Sequence, residues 1–436
     1  MINSQKIENL RLDSKKKNNN ISISLYLLLL SIGAYFFLTM FWSELYVIWT
    51  FLLIFADITY LFFKKDVFFP INLNMMIWGT FIVICILGLV NPNTTNLASG
   101  AMFHVLTLLL LYFNFLLLMG EAHWEETLLK FLLQSSWIFI IGAVIQLISP
   151  NFLQSFNQIQ LDSEQYISFN NFMRWGYIVG FSSNPGITAF AITPVLFNSF
   201  INIFKKRDLR NQIGNLLIFI FVFILLIMTG KRGMTLFVLI IVAYLAFSLT
   251  KNKYYAILPM VFFGIFLIYL ILNTGAGQDL IIRTITQDDL TTGRAPIYNI
   301  MWNKFLENPI GGIGTYSINN FIVTKNGHNI YLQMLSENGI ITFSLVIFIL
   351  FYNLLKTHFL FYKAKTDNSR TILGFSVSQQ IVFILWGITG NTLYDRYSLA
   401  IYFIAVAMMW VSLKDADKFE RISNVKFKKQ IKKNYS

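Results

Sequence analysis

Charge is scarce in this chain. Asp, Glu, Lys and Arg make up 13% of its 436 residues, while hydrophobic residues make up 56% and aromatic residues 17%, and a soluble globular domain carries about a quarter charged residues. That imbalance excludes a soluble fold with one core under a charged surface. Cysteine is scarcer still: Cys85 stands alone, so no intramolecular disulfide can form and a cysteine-based metal centre is disfavoured. Short segments of alternating polarity, the mark of an outer-membrane barrel, are missing, and the apolar runs instead approach the roughly 20 residues that a membrane helix needs. The first apolar run follows Lys15-Lys16-Lys17 without a small-residue cleavage pattern after it, so no cleavable signal peptide is expected.

Apolar runs are present at about 21–41, 45–63, 72–90, 101–119, 131–149, 187–204, 212–229, 234–250, 254–273, 338–355, 371–390 and 398–413. They predict an all-α polytopic membrane protein of about twelve transmembrane helices, with residues 1–436 as a single membrane domain. The net charge of +13 is a matter of topology, not of nucleic-acid binding. With the amino terminus inside, 26 of the 34 Lys and Arg residues fall on cytoplasmic segments, Lys205, Lys206, Arg207 and Arg210 among them, and both termini are cytoplasmic. The basic cytoplasmic tail, 414–436, contains Asp415-Ala416-Asp417, which matches a metal-nucleotide Asp-x-Asp pattern but has an ordinary explanation as a solvated charged segment. Two connections are long, and both are expected outside: 150–186 and 274–337. In the second, Thr292 reads as an N-cap, Pro296 as a first-turn proline, and Ile297, Ile300, Met301, Phe305 and Leu306 recur at helical spacing until Asn308-Pro309. This predicts a short surface helix anchored by Trp302, and a second from His328 to about Glu337.

Only eight basic residues are expected outside: Arg174, Lys231, Arg232, Arg283, Arg294, Lys304, Lys325 and Arg396. Lys231 and Arg232 form a tight turn, Thr229-Gly230-Lys231-Arg232-Gly233, against the positive-inside preference, and either bind an anion or snorkel to lipid headgroups. Arg294 heads the surface helix after Gly293, where it either meets an anion or pairs with Asp288 or Asp289. Around Arg174, the rings of Trp175, Tyr177 and Phe181 suit either sugar stacking or membrane-belt anchoring. His328, the one histidine in the expected external loops, suits proton acceptance near neutral pH or a structural role. Gly311, Gly312 and Gly314 are followed by no Gly-Lys-Ser/Thr, so they read as a flexible turn that lets backbone approach a ligand, with a plain linker as the alternative.

Taken in order, Thr292-Gly293-Arg294, Trp302, Asn308-Pro309, Gly311-Gly312-Ile313-Gly314, His328-Asn329-Ile330-Tyr331-Leu332 and Glu337-Asn338-Gly339 resemble the signature loop of the O-antigen ligase and Wzy-type polysaccharide polymerase superfamily. The turn at Arg232 and the Arg174…Asn184-Pro185 segment are similar to further parts of that pattern. The resemblance implies a glycosyltransferase of the bacterial cytoplasmic membrane that works at its outer face on polyprenyl-diphosphate-linked oligosaccharides and needs no cofactor or metal. A sugar hydroxyl of one repeat unit would attack the anomeric carbon of another, and the lipid diphosphate would leave. By the same resemblance His328 and Arg294 are the catalytic candidates, and Arg232, Lys231, Arg174, Glu337 and Tyr331 the substrate-binding ones. A flippase and a chain-length regulator are the expected partners, and the product is O-antigen, capsule or exopolysaccharide. Polymerase is favoured over O-antigen ligase. A flippase or transporter is the rival class, against which stand the absence of related halves and the presence of only Asp57 and His104 as ionisable residues within spans.

Overall fold

The computed structural model describes residues 46–63, 72–120, 125–205, 208–250, 294–322, 327–364 and 366–410, with a few positions between 26 and 33 and residue 264. Among these the long elements are all helical: α1 (Tyr46–Phe63), α2 (Leu73–Gly88), α3 (Ala98–Gly120), α4 (Glu125–Ile148), α5 (Pro150–Gln160), α6 (Ser163–Arg174), α7 (Pro185–Ala191), α8 (Thr193–Ile203), α9 (Leu209–Met228), α10 (Arg232–Leu249), α11 (Ala295–Glu307), α12 (Ile330–Lys363), α13 (Asp367–Trp386) and α14 (Arg396–Trp410). By length and composition α4, α7 with α8, α9, α10 and α12 can each cross a membrane, and α14 and parts of α1, α2 and α3 are shorter apolar helices. The molecule is therefore a multi-pass helical membrane protein. Of the spans expected from the sequence, 254–273 and most of 21–41 lie outside the described residues, as do 274–293 of the long loop and the tail at 414–436.

Hydrogen bonds tie the connections together at two ends. At one end, Asn368 Nδ2 donates to Glu126 Oε1 at 2.6 Å and Arg370 Nη2 to Ser248 O at 2.9 Å. At the other, Asn93 Nδ2 donates to Ile313 O at 3.3 Å, Thr94 Oγ1 to Thr315 O at 3.2 Å, and Ile330 N to Gly387 O at 2.9 Å. This second end carries both elaborated segments. Residues 150–186 fold into α5 and α6, with Asp162 capping α6 through Gln165 N at 2.8 Å. The chain after α6 is held by one glutamine of α4: Gln146 Nε2 donates to Tyr177 O at 2.8 Å, while its Oε1 accepts from Val179 N at 2.8 Å and Gly180 N at 2.9 Å.

The apolar spacing of 297–306 does make a helix, α11. Its inner face buries Met301 in a small cluster with Ile313, Ile318 and Ile322, and its outer face leaves Trp302 and Leu306 exposed, as expected of a helix at a membrane surface. Arg294 immediately precedes α11 and its side chain makes no capping bond; Thr292 lies outside the described residues. The second expected helix is not separate. α12 begins at Ile330, capped by Asn329 Oδ1, which accepts from Tyr331 N at 3.0 Å and Leu332 N at 3.1 Å, and it runs on for 34 residues through a kink at Gly339 (φ 74°). A kink frees backbone groups, and here the glycine loop takes them up: Ile313 N donates to Ser336 O at 2.9 Å, Gly314 N to Glu337 O at 3.1 Å, and Ile340 N to Pro309 O at 2.8 Å.

Inside the bundle several buried amide and hydroxyl groups pair across helices. Asn74 of α2 and Asn353 of α12 exchange amide hydrogen bonds of 2.7 and 2.6 Å, and Asn353 Nδ2 also reaches Tyr402 Oη at 3.2 Å. In a membrane such bonds join helices that gain nothing from the hydrophobic effect. α13, at the place of the eleventh expected span, buries Ser376, Ser378, Gln379 and Gln380 completely, and Gln380 Nε2 donates to Thr357 Oγ1 at 2.7 Å.

Candidate active site

A cavity of about 820 Å³ opens at the elaborated end of the bundle. Helices α10, α11 and α12 start at it, and so do α7 and α14, whose caps Asn184 and Asp395 also line it. Arg232 and Gly233 open α10, Arg294 precedes α11 and Asn329 caps α12, and all four residues line the cavity. A helix start carries partial positive charge and outward-facing N–H groups, so these starts bring positive potential to the cavity. Lys231, Arg232 and Arg294 then add three cations to the same lining, with His328 among them.

The turn that delivers Lys231 and Arg232 depends on Gly230. Its φ is 67°, and a Cβ there would lie 2.2 Å from the Tyr177 ring, so glycine lets α9 return as α10 beneath the loop after α6 without strain or displacement of that ring. Lys231 sits over the Phe172 ring at 5.6 Å and is half-buried. Burial, with Arg294 nearby, brings its pKa down to about 8. Arg294 Nη1 donates to Thr389 O at 3.2 Å, which fastens it to the turn between α13 and α14.

His328 is held in a left-handed backbone conformation, φ 53°, and Tyr298 Oη donates to its carbonyl at 3.5 Å. Among the described residues only His328 and Tyr316 (φ 64°) are non-glycines with positive φ, and both line the cavity. Such conformations cost about 1–3 kcal/mol and gather at functional sites, where surrounding structure imposes them. Burial lowers the His328 pKa to about 4, helped by Arg294 and Lys231. Its ring is therefore neutral at neutral pH.

The remaining sequence candidates sit elsewhere. Arg174 is exposed at the end of α6 and does not line the cavity, although its neighbours Phe172 and Trp175 do. Tyr331 points its hydroxyl to Ile384 O at 2.6 Å and joins α12 to α13 outside the cavity lining. Glu337 is fully buried behind the lining, where its carboxylate accepts from Tyr316 N at 3.1 Å, Ile318 N at 3.4 Å, Gln333 Nε2 at 3.1 Å and the Tyr394 hydroxyl. Within 311–314 a Cβ on Gly312 would lie 2.2 Å from the Glu337 carbonyl oxygen, and one on Gly314 would meet the Asn91 and Thr94 side chains.

Sequence reasoning passed over the turn from Gly387 to Asp395, of which Ile388, Thr389, Gly390, Asn391, Tyr394 and Asp395 line the cavity. Its signal was small but present: two glycines, Asn391 and Asp395 between apolar runs. Asp395 accepts from Ser398 N at 3.1 Å and so caps α14, and burial raises its pKa. Tyr298, Tyr316, Asn319 and Gln333 were also missed.

The fold and site are those of a polytopic helical protein with a cation-bearing, aromatic-rimmed cavity at one end of the bundle. Within that class, the family described as O-antigen ligase matches residues 217–347, and this segment contains Lys231, Arg232, Arg294, His328 and Glu337. Over that segment the match supports the likeness to the O-antigen ligase and polysaccharide polymerase superfamily, whose members transfer glycosyl groups and act on lipid-linked oligosaccharides. No curated protein matches the chain.

Proposed function

We propose that this protein is a polysaccharide polymerase that joins polyprenyl-diphosphate-linked repeat units at the outer face of the cytoplasmic membrane. The observation that carries the reading is the meeting of Lys231, Arg232, Arg294 and His328 in one cavity at the starts of α10, α11 and α12, all within the family-matched segment. Arginine forks engage phosphate with paired, charge-assisted bonds, and preorganised cations stabilise the charge that develops as diphosphate leaves. Diphosphate is already a good leaving group, so the chemistry asks the protein for a cation cradle and a proton acceptor. Neutral His328 is the acceptor. Its low pKa makes it a weak base in the unliganded protein, but a bound diphosphate offsets Arg294 and Lys231, two of the causes that lower it. The donor thereby prepares the base that activates the acceptor hydroxyl.

The outer face is assigned from charge. Lys205, Arg210 and Arg370 belong to the end opposite the cavity, and cytoplasmic loops carry the excess of Lys and Arg. A second reading, transfer of the finished chain to a lipid core, is favoured by the family description, O-antigen ligase. Deletion of the gene followed by gel analysis of surface glycan separates the readings. A polymerase deletion leaves single repeat units and no long-chain ladder, a ligase deletion leaves finished polymer on the carrier, and repeats trapped on the inner leaflet overturn both in favour of a flippase.

A further inference from the structure

Beside its cations the cavity has a neutral polar part. Gln333 is buried to 1% exposure, and its Nε2 donates to the Glu337 carboxylate at 3.1 Å. With Nε2 engaged by Glu337, Oε1 is the amide atom left over. That oxygen has no partner, and the same is true of the buried Asn319 Oδ1 and Thr389 Oγ1. Leaving one buried polar atom unpaired costs about 1–3 kcal/mol, and three in one cavity lining ask for a common explanation. The two amide oxygens accept and the Thr389 hydroxyl both accepts and donates, so a ligand rich in O–H groups satisfies all three. The aromatic rings beside them, Tyr316 and Tyr394 with centroids 5.7 Å apart, offer flat apolar faces.

Glu337 holds this part together. Of the four donors to its carboxylate, three belong to cavity-lining residues on different segments: Tyr316 N, Gln333 Nε2 and the Tyr394 hydroxyl. One buried carboxyl group therefore fixes the left-handed turn at Tyr316, the first turns of α12 and the turn before α14 against one another.

We propose that Asn319, Gln333 and Thr389, framed by Tyr316 and Tyr394, form a subsite for the hydroxyl groups of the glycan, distinct from the cationic diphosphate subsite, and that Glu337 is its positioning residue. This rests on the functional reading above. The test uses purified protein in lipid nanodiscs and two probes: farnesyl diphosphate, which has the diphosphate and no sugar, and lipid-linked repeat units extracted from a strain lacking the gene. Asn319→Ala and the isosteric Thr389→Val should each weaken binding of the extracted units about tenfold, the loss of one hydrogen bond, and leave farnesyl diphosphate affinity within about twofold. Glu337→Gln should show the same split, because its amide turns a donor toward groups that need an acceptor. Should Glu337→Gln fail to fold, the other two variants carry the test alone. Equal losses for both probes, or no loss for either, overturn the subsite. A wild-type protein that binds no farnesyl diphosphate overturns the functional reading itself, a different result from either.

Discussion

Two glycine turns at the same end of the bundle do opposite things. The turn at 229–233 reverses the chain between α9 and α10 and leaves two cations at the cavity, whereas the loop at 309–314 turns its backbone onto the kink of α12. Both contain a left-handed glycine, Gly230 at 67° and Gly312 at 69°. What differs is the neighbour. A Cβ on Gly230 would strike the Tyr177 side chain, and one on Gly312 would strike the main chain of Glu337, each at 2.2 Å. Glycine marks a close approach in both places, and only the one at Gly230 brings charged residues to the cavity.

The largest effect expected from breaking this comparison is therefore at Gly312. Gly312→Ala places a methyl group against fixed backbone and unseats the loop that satisfies Ser336 and Glu337, so folded protein should be lost from the detergent-extracted membrane fraction. Gly230→Ala meets a side chain that can move and should cost about 1–2 kcal/mol of backbone strain, leaving protein that folds, melts lower and polymerises poorly. Equal yields and melting temperatures for the two variants would erase the distinction drawn between the turns.

A smaller effect follows from Lys231. Its pKa of about 8 lies below the ordinary lysine value, so its charge is complete at lower pH and is lost as pH rises through 8. Affinity for farnesyl diphosphate should fall over that range in the wild type. Lys231→Arg keeps its charge and should flatten the profile. A wild-type affinity constant from pH 7 to 9 would remove Lys231 from the diphosphate subsite.

The helix at 295–307, the turn at Lys231-Arg232 and the isolated His328 were legible in the sequence because each rests on local pattern: helical spacing, a breach of charge bias, a lone residue type. The partner of Gly312 was not legible. It is the carbonyl of Glu337, on a helix that the sequence suggested would end there, and a kink that continues beyond Asn338-Gly339 looks in sequence like a helix stop. The contribution of residues 387–395 was hidden for a related reason. A short turn between two apolar runs reads as a connection, and only the approach of Gly387 and Gly390 to Ile330 N, at 2.9 and 3.1 Å, shows that it closes the cavity. Glu337 was visible as a charged residue at the edge of a span, yet its role depends on four donors drawn from three segments.

The central claim is that the cavity divides its work, with Arg294 holding the departing diphosphate and His328 taking the acceptor proton. The most direct measurement is donor binding and single-step transfer, recorded separately for Arg294→Lys and His328→Ala with purified protein and lipid-linked repeats at matched protein levels. Arg294→Lys should weaken donor binding and slow transfer about a hundredfold to a thousandfold, because ammonium keeps the charge and loses the fork. His328→Ala should bind donor as the wild type does and lose about a hundredfold to ten-thousandfold in transfer. Wild-type transfer by His328→Ala would contradict the account.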